Sequence, residues 1–118
     1  MSNIGQSTKP RLIFVTQALD TENPVLGFVT GWVSALSNHF ELAVIANEVK
    51  ARPPSAVTVI SLGKEKGFGK GRRTARYLGA VRNLLKWSPA ALFAHMCPVY
   101  LNLAFPLCLS KKVPTVLW

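Results

Sequence analysis

Short runs of consecutive apolar residues recur along the chain, and several are rich in β-branched side chains. Runs of this length are typical of strands that are buried on both faces of a parallel sheet. The pattern predicts five strands, at residues 11–16, 42–46, 57–62, 90–94 and 115–118.

Helical spacing of apolar residues appears between these runs. The segment 71–87 is the clearest case, because its apolar side chains fall on one side and its arginines lie opposite. Helices are also predicted at 28–37 and at 99–109, the latter with Pro106 inside it.

Turn-forming residues separate the other predicted elements. Asp, Asn, Pro and Gly within residues 18–27 predict a loop, and the paired prolines within 49–56 predict a connection. Four glycines and three lysines in 63–71 predict a mobile loop.

The predicted elements follow the order β-α-β-β-α-β-α-β. This alternation predicts an α/β fold, with an open, mainly parallel sheet and helices on both faces. Residues 1–10 form a predicted flexible leader and 11–118 a single domain. Because the last strand ends at the last residue, we expect this domain to be truncated at its C-terminus. Ligands of such sheets bind beyond the carboxyl ends of the strands.

Charge and cysteine content narrow the classes of partner and compartment. The 118 residues carry a net charge of +9, which attracts nucleic acid, lipid head groups or a phosphorylated substrate without choosing among them. Two cysteines are too few for a disulfide framework, and no signal peptide precedes them. We therefore expect a cytoplasmic protein with reduced thiols.

Residues 90–109 contain no Lys, Arg, Asp or Glu and are long enough to span a bilayer. His95, Asn102, Pro98 and Pro106 oppose that interpretation, since polar residues are costly in a membrane and prolines interrupt a helix. The favoured interpretation is a buried strand, a turn at Pro98 and a short apolar helix.

Three residues near predicted strand ends are candidates for chemistry. Gly27 would let an anionic group approach a helix N-terminus, or would serve only as a turn glycine. His95 would bind a sugar hydroxyl or transfer a proton, or would be structural. Asp20 would act as a base or orient a hydroxyl, or would only form an Asx turn.

Other kinds of site are not supported by the sequence. Residues 63–71 fail the P-loop spacing, and no Gly-x-Gly-x-x-Gly follows the first strand. His95, Met96 and Cys97 lack a second cluster that would complete a metal site, so no metal is expected. No nucleophile elbow of the Gly-x-Ser-x-Gly type is present.

A group of basic residues surrounds the start of the 71–87 helix. It would contact an anionic membrane surface or another anion, or would form an ordinary solvated face. It lacks the interleaved aromatic residues of a single-strand nucleic-acid platform, so no nucleic acid is expected. The group consists of Lys64, Lys66, Lys70, Arg72, Arg73 and Arg76.

Four segments carry a resemblance to a known family: residues 12–17, 20–28, 61–65 and 94–96. They resemble the N-terminal domain of family 4 glycosyltransferases, which are retaining enzymes of the GT-B fold. The resemblance implies a Rossmann-like acceptor-side domain that faces a second, donor-binding domain across a cleft. The paired glycines common in the family's first loop are reduced here to Gly27 alone.

The resemblance also implies an activity of the hexosyltransferase type. A sugar would pass from a nucleotide-diphosphate sugar to an acceptor glycan, lipid or small molecule, with retention of configuration. In that picture His95 contacts the reacting sugar and acts as the catalytic residue, while Gln17, Asp20 and Gly27 line the acceptor side.

Further expectations follow from the same resemblance. No cofactor is expected beyond the nucleotide sugar, which the missing C-terminal donor domain would bind as a co-substrate. Without that domain the chain should be inactive, because catalysis depends on neutralising the diphosphate leaving group. Many family members contact membranes, so we expect a peripheral location at the inner face of the membrane.

Two rival functions remain open from the sequence. A small basic nucleic-acid-binding protein would be retained on immobilised DNA or RNA with a steep salt dependence. A small membrane protein anchored by residues 90–109 would resist extraction with carbonate.

Overall fold

The described part of the chain contains five strands and three α-helices. The computed structural model describes residues 9–19, 29–49, 57–95 and 97–117, apart from the side chains of Val29 and Thr30. In chain order the elements are β1 (Arg11–Leu19), α1 (Val29–Ser37), β2 (Glu41–Val49), β3 (Thr58–Ser61), α2 (Lys70–Leu85), β4 (Ala91–Ala94), α3 (Pro98–Ser110) and β5 (Thr115–Leu117).

The five strands form one sheet in the order β3-β2-β1-β4-β5, and every neighbouring pair is parallel. This confirms the predicted α/β class with a Rossmann-like sheet. β2 and β3 extend the sheet on one side of β1, and β4 and β5 then extend it on the other side. The connectivity therefore reverses between β1 and β4, which is where ligands of such sheets bind.

Two apolar cores lie on opposite faces of the sheet. Ile13 and Val15 of β1 belong to the core covered by α2 and α3. Leu12 and Phe14 belong to the other core, which includes Val33 of α1. Alternate residues of a strand point to opposite faces, so a single apolar run contributes to both cores.

The first two strands are longer than the sequence predicts. β1 continues through Leu19 and β2 through Val49, whereas the sequence predicts a loop from residue 18 and puts polar Asn47 after the second strand. Ala18 pairs with Glu48 and Leu19 with Val49 in the ladder. Backbone pairing between two central strands thus extends them past the end of the apolar pattern.

The sequence predicts a mobile loop at residues 63–71, and the structure has a turn with a short 3-10 helix there, followed by the start of α2; its mobility stays a prediction. Lys64–Lys66 is a 3-10 turn, and α2 begins at Lys70. The Glu65 carboxylate accepts hydrogen bonds from the Ser61 hydroxyl at 2.7 Å and the Val49 amide at 3.2 Å. Burial favours the neutral acid, but these hydrogen bonds outweigh it and lower the pKa of Glu65.

The apolar segment 90–109 contains a strand and a helix, as the favoured interpretation predicts, but Pro98 begins the helix rather than forming a turn. It contains β4, Pro98 at the start of α3, and Pro106 inside α3. Within the described residues the longest helix is α2, with 16 residues, and no helix combines the length and apolar character needed to cross a bilayer.

Candidate functional site

A cleft of about 340 Å³ opens beside the carboxyl ends of β1 and β2, on the face of the sheet that α2 and α3 cover. Both helices present their amino-terminal turns to it. Strand residues form its floor and helix residues form its walls. The described residues that line it are Gln17, Asn47, Lys70, Arg73, Thr74, Cys97, Pro98, Val99 and Tyr100.

Asn47 connects the two helical walls of the cleft. Its side-chain oxygen accepts a hydrogen bond from the Arg73 guanidinium at 2.9 Å and one from the Tyr100 hydroxyl at 3.0 Å. Asn47 is only 9% exposed, so neither bond competes freely with water. One strand residue therefore fixes an arginine of α2 and a tyrosine of α3.

Tyr77 supports Tyr100 in the α3 wall of the cleft. Its hydroxyl donates to the Tyr100 carbonyl at 2.6 Å, and the two rings are 4.6 Å apart with a 39° tilt. Tyr77 is fully buried, and desolvation raises the pKa of its phenol far above the ordinary value. Tyr100 is thus positioned through its backbone, its ring and its hydroxyl.

The cleft is electropositive. Lys70 and Arg73 line it, and none of the lining residues in the described part of the chain is acidic. The N-cap residues of α2 and α3 are Gly69 and Cys97, and neither caps its helix with a side-chain hydrogen bond. Basic side chains and helix amino ends both favour an anionic group.

Cys97 lies at the cleft floor but is not suited to act as a nucleophile. Its thiol donates to the carbonyl oxygens of Val15 and His95, at 3.3 and 3.2 Å. Burial raises the pKa of Cys97 to about 12. The thiol is therefore protonated at neutral pH, and reactivity requires the thiolate.

His95 lies on the opposite face of the sheet from the cleft. Its ring is 4.9 Å from that of Trp32 in α1 and 6.3 Å from that of Phe14, and the residue is 1% exposed. The structure therefore does not bring His95 and Gln17 together, although both lie at the carboxyl edge. Contact of His95 with a sugar stays a prediction.

Because burial disfavours the imidazolium, the pKa of His95 lies below its ordinary value. The unfolded chain, with a pKa of about 6.5 for histidine, binds this proton first as pH falls. We expect the free energy of unfolding to decrease as pH falls below about 6.5 and to level off below the folded-state pKa. Above that window His95 is neutral in both states and contributes no pH dependence.

Urea unfolding between pH 7.5 and 5 measures this effect. His95→Gln should flatten the decrease, whereas His39→Gln, which alters an exposed histidine, should retain it. Identical pH profiles for the wild type and His95→Gln would contradict the expectation.

The residues of the predicted basic group lie in different environments in the structure. Lys64 and Lys66 are exposed, and Lys70 and Arg73 line the cleft. Arg72 and Arg76 gather on the Phe68 ring, with guanidinium carbons 3.7 and 5.5 Å from its centroid. The Arg76 guanidinium also donates to the Ser61 carbonyl at 3.0 Å. Membrane contact by this group stays a prediction.

The remaining predicted site residues, Asp20 and Gly27, lie outside the described residues, as does Met96. Conversely, Asn47, Thr74 and Tyr100 are not among the predicted site residues, although the rule for such sheets directs attention to Asn47 as a residue that follows a predicted strand. Asn47 carries a usable signal, because it directly follows the apolar run 42–46 at the predicted carboxyl edge. Thr74 and Tyr100 carry none, since each lies in an ordinary helical pattern.

Comparison with known proteins gives similarity of fold only. No protein-family model matches the chain, and no curated protein matches its sequence. The C-terminal domain of the PF1911 hydrogenase from Pyrococcus furiosus has a TM-score of 0.59 at 15% identity, over 93% of this chain and 92% of that domain.

Two glycosyltransferase structures share the fold as well. TcCGT1, in complex with UDP, has a TM-score of 0.53 at 14% identity, over 94% of this chain and 28% of that one. UGT2 of Phytolacca americana, complexed with UDP-2fluoro-glucose and pterostilbene, has a TM-score of 0.57 at 13% identity, over 96% of this chain and 31% of that one. The chain thus spans about a third of these enzymes and has a glycosyltransferase-like, Rossmann-type α/β fold.

Proposed function

We propose that this chain is the acceptor-binding half of a retaining glycosyltransferase of family 4, acting with a separate donor-binding domain. The observation that carries the proposal is the cleft at the carboxyl edge of the sheet. The cleft lies beside the point where the connectivity of the sheet reverses, and sheets of this type bind ligands at such points. The sequence resemblance supplies the family and the retaining chemistry, and the shared fold with glycosyltransferases supports it.

The lining of the cleft suits an acceptor that carries hydroxyl groups. Gln17, Asn47, Thr74 and Tyr100 offer side-chain donors and acceptors on three sides. A volume of about 340 Å³ accommodates a small molecule or one terminal sugar of a larger acceptor. These groups would orient the acceptor hydroxyl in the cleft. A contact between His95 and the transferred sugar is implied by the resemblance alone, because its buried ring packs on the opposite face of the sheet.

The other half of the reaction requires groups from the donor domain. Departure of the nucleoside diphosphate leaves negative charge that must be stabilised, and the resemblance assigns this task to that domain. The proposal therefore predicts no sugar transfer by this chain alone. The hydrogenase domain shares the fold, but a shared fold does not define an activity.

Amide NMR titration of the chain tests whether it is the acceptor-binding half or the donor-binding half of the enzyme. We expect saturable shifts at Asn47, Arg73 and Tyr100 with a member of a panel of monosaccharides, disaccharides and sugar phosphates. UDP and GDP should bind no more tightly than inorganic phosphate, because the proposal gives the cleft no contact with a base or a ribose. Saturation by a nucleotide without any response to the panel would contradict the proposal. So would salt-dependent retention on immobilised DNA, which the nucleic-acid alternative predicts.

A further inference from the structure

The Arg73 guanidinium is held in the cleft by a neutral partner. It donates to the Asn47 amide oxygen at 2.9 Å, and its buried Nε makes no hydrogen bond within the described residues. A guanidinium presents five N–H donors in a planar fork, and Asn47 engages one edge of it. Donors therefore remain for a bound group.

The surroundings of Arg73 add positive charge and hydrogen-bond donors. Lys70 lies one turn earlier on α2, and the Thr74 hydroxyl lines the same cleft. Tyr100 donates its single hydroxyl proton to Asn47, so it helps to fix Asn47, and with it the Arg73 guanidinium, before a ligand arrives. Burial raises the pKa of Tyr100, with Arg73 acting in the opposite direction, so the phenol keeps its proton at neutral pH.

We propose that the acceptor bound in this cleft carries a phosphate monoester, which Arg73 and Lys70 bind while Asn47 orients the Arg73 guanidinium. This proposal rests on the proposed function, because it names the chemical class of the acceptor. A phosphate monoester carries a charge of about −1.5 to −2 at pH 7 and has three acceptor oxygens. Two cations and a neutral donor match that group better than an uncharged sugar, which would pair with neither charge.

Two sources supply the same chemistry. The phosphate could belong to a soluble sugar phosphate or to a lipid head group, and the exposed cations Lys64, Lys66 and Arg72 lie near the start of α2. Glucose 6-phosphate and vesicles of phosphatidylcholine with about 20% phosphatidic acid represent the two sources. Each is compared with a matched ligand without the monoester: glucose, and vesicles of phosphatidylcholine alone.

Binding is measured on the full chain by amide NMR for the sugars and by co-sedimentation for the vesicles. One phosphorylated probe should bind, and its unphosphorylated match should bind at least about tenfold more weakly, as expected for loss of charged hydrogen bonds. Arg73→Gln should weaken binding about 10- to 100-fold, and Arg73→Lys should recover only part of it. Lys70→Gln, at an exposed position, should weaken binding with no change in fold.

Arg82→Gln is the matched control, because Arg82 is an exposed arginine on the same helix beyond the cleft. It removes the same charge and should leave affinity within about twofold, since it makes no contact with the bound group. Equal losses in Arg82→Gln and Arg73→Gln would show non-specific charge attraction and overturn the proposal.

The outcomes separate this proposal from the proposed function. Equal binding of glucose and glucose 6-phosphate at Asn47 and Tyr100 would refute the role of the phosphate in binding, while the cleft would remain an acceptor site. If no sugar, phosphate or vesicle binds, both proposals fail. Binding of the phosphorylated sugar with undiminished affinity in Arg73→Gln would place the phosphate elsewhere and overturn the role of Arg73.

Discussion

Tyr77→Ala is expected to lower the free energy of unfolding by about 3–5 kcal/mol, as for other large aromatic side chains removed from a core. Tyr77 is fully buried between α2 and α3, in the core that also contains Val81 and Cys108. Its loss leaves a cavity beneath Tyr100, whose ring packs against it. Urea or guanidinium unfolding followed by circular dichroism measures the change.

Tyr77→Phe separates packing from hydrogen bonding at the same position. It keeps the ring but removes the 2.6 Å bond to the Tyr100 carbonyl, and should cost only about 0.5–1.5 kcal/mol. Tyr100→Phe, which removes the hydroxyl bonded to Asn47, serves as a comparison in the same wall. If Tyr77→Ala costs no more than Tyr77→Phe, the ring is not the packing element that the structure indicates.

The sheet can be predicted from sequence because its information is local. Runs such as 42–46 and 90–94 are apolar on both faces, which a covered, parallel arrangement explains. The ends of the strands are less visible. Gln17 and Asn47 are polar and so end the apolar pattern, yet they continue the strands because the neighbouring strand satisfies backbone groups beyond them.

The candidate site is only partly visible in the sequence for a different reason. The edge of the sheet can be predicted, but not which face each side chain occupies. His95 packs on the α1 side and Gln17 lines the cleft on the α2 side. The bonds from Arg73 and Tyr100 to Asn47 join residues 26 and 53 positions apart. Such convergence depends on how two helices dock, which no local pattern records.

Gly63→Ala is expected to be the second most destabilising substitution, at on the order of 3 kcal/mol. The backbone of Gly63 has φ of +95°, which costs a side chain about 1–2 kcal/mol, and its Cβ would collide with the Phe68 ring, adding about 1–2 kcal/mol. Gly67 has φ of +82° with open space around it, so Gly67→Ala tests the backbone cost alone, about 1–2 kcal/mol.

The structural reason for this sensitivity is that Gly63 begins the turn that leads into α2 and the cleft. Its amide donates to the Ser61 hydroxyl at 3.1 Å, and the Ser61 hydroxyl in turn donates to the Glu65 carboxylate.

Gly79 is the opposite case, because a methyl group added there inside α2 would enter open space. Gly79→Ala should therefore stabilise the protein by about 0.5–1 kcal/mol. Thermal unfolding of the three alanine variants should therefore rank Gly63 below Gly67 and both below Gly79. A Gly63→Ala protein as stable as Gly67→Ala would mean that Phe68 yields without cost, and that its packing beneath Arg72 does not fix the start of α2.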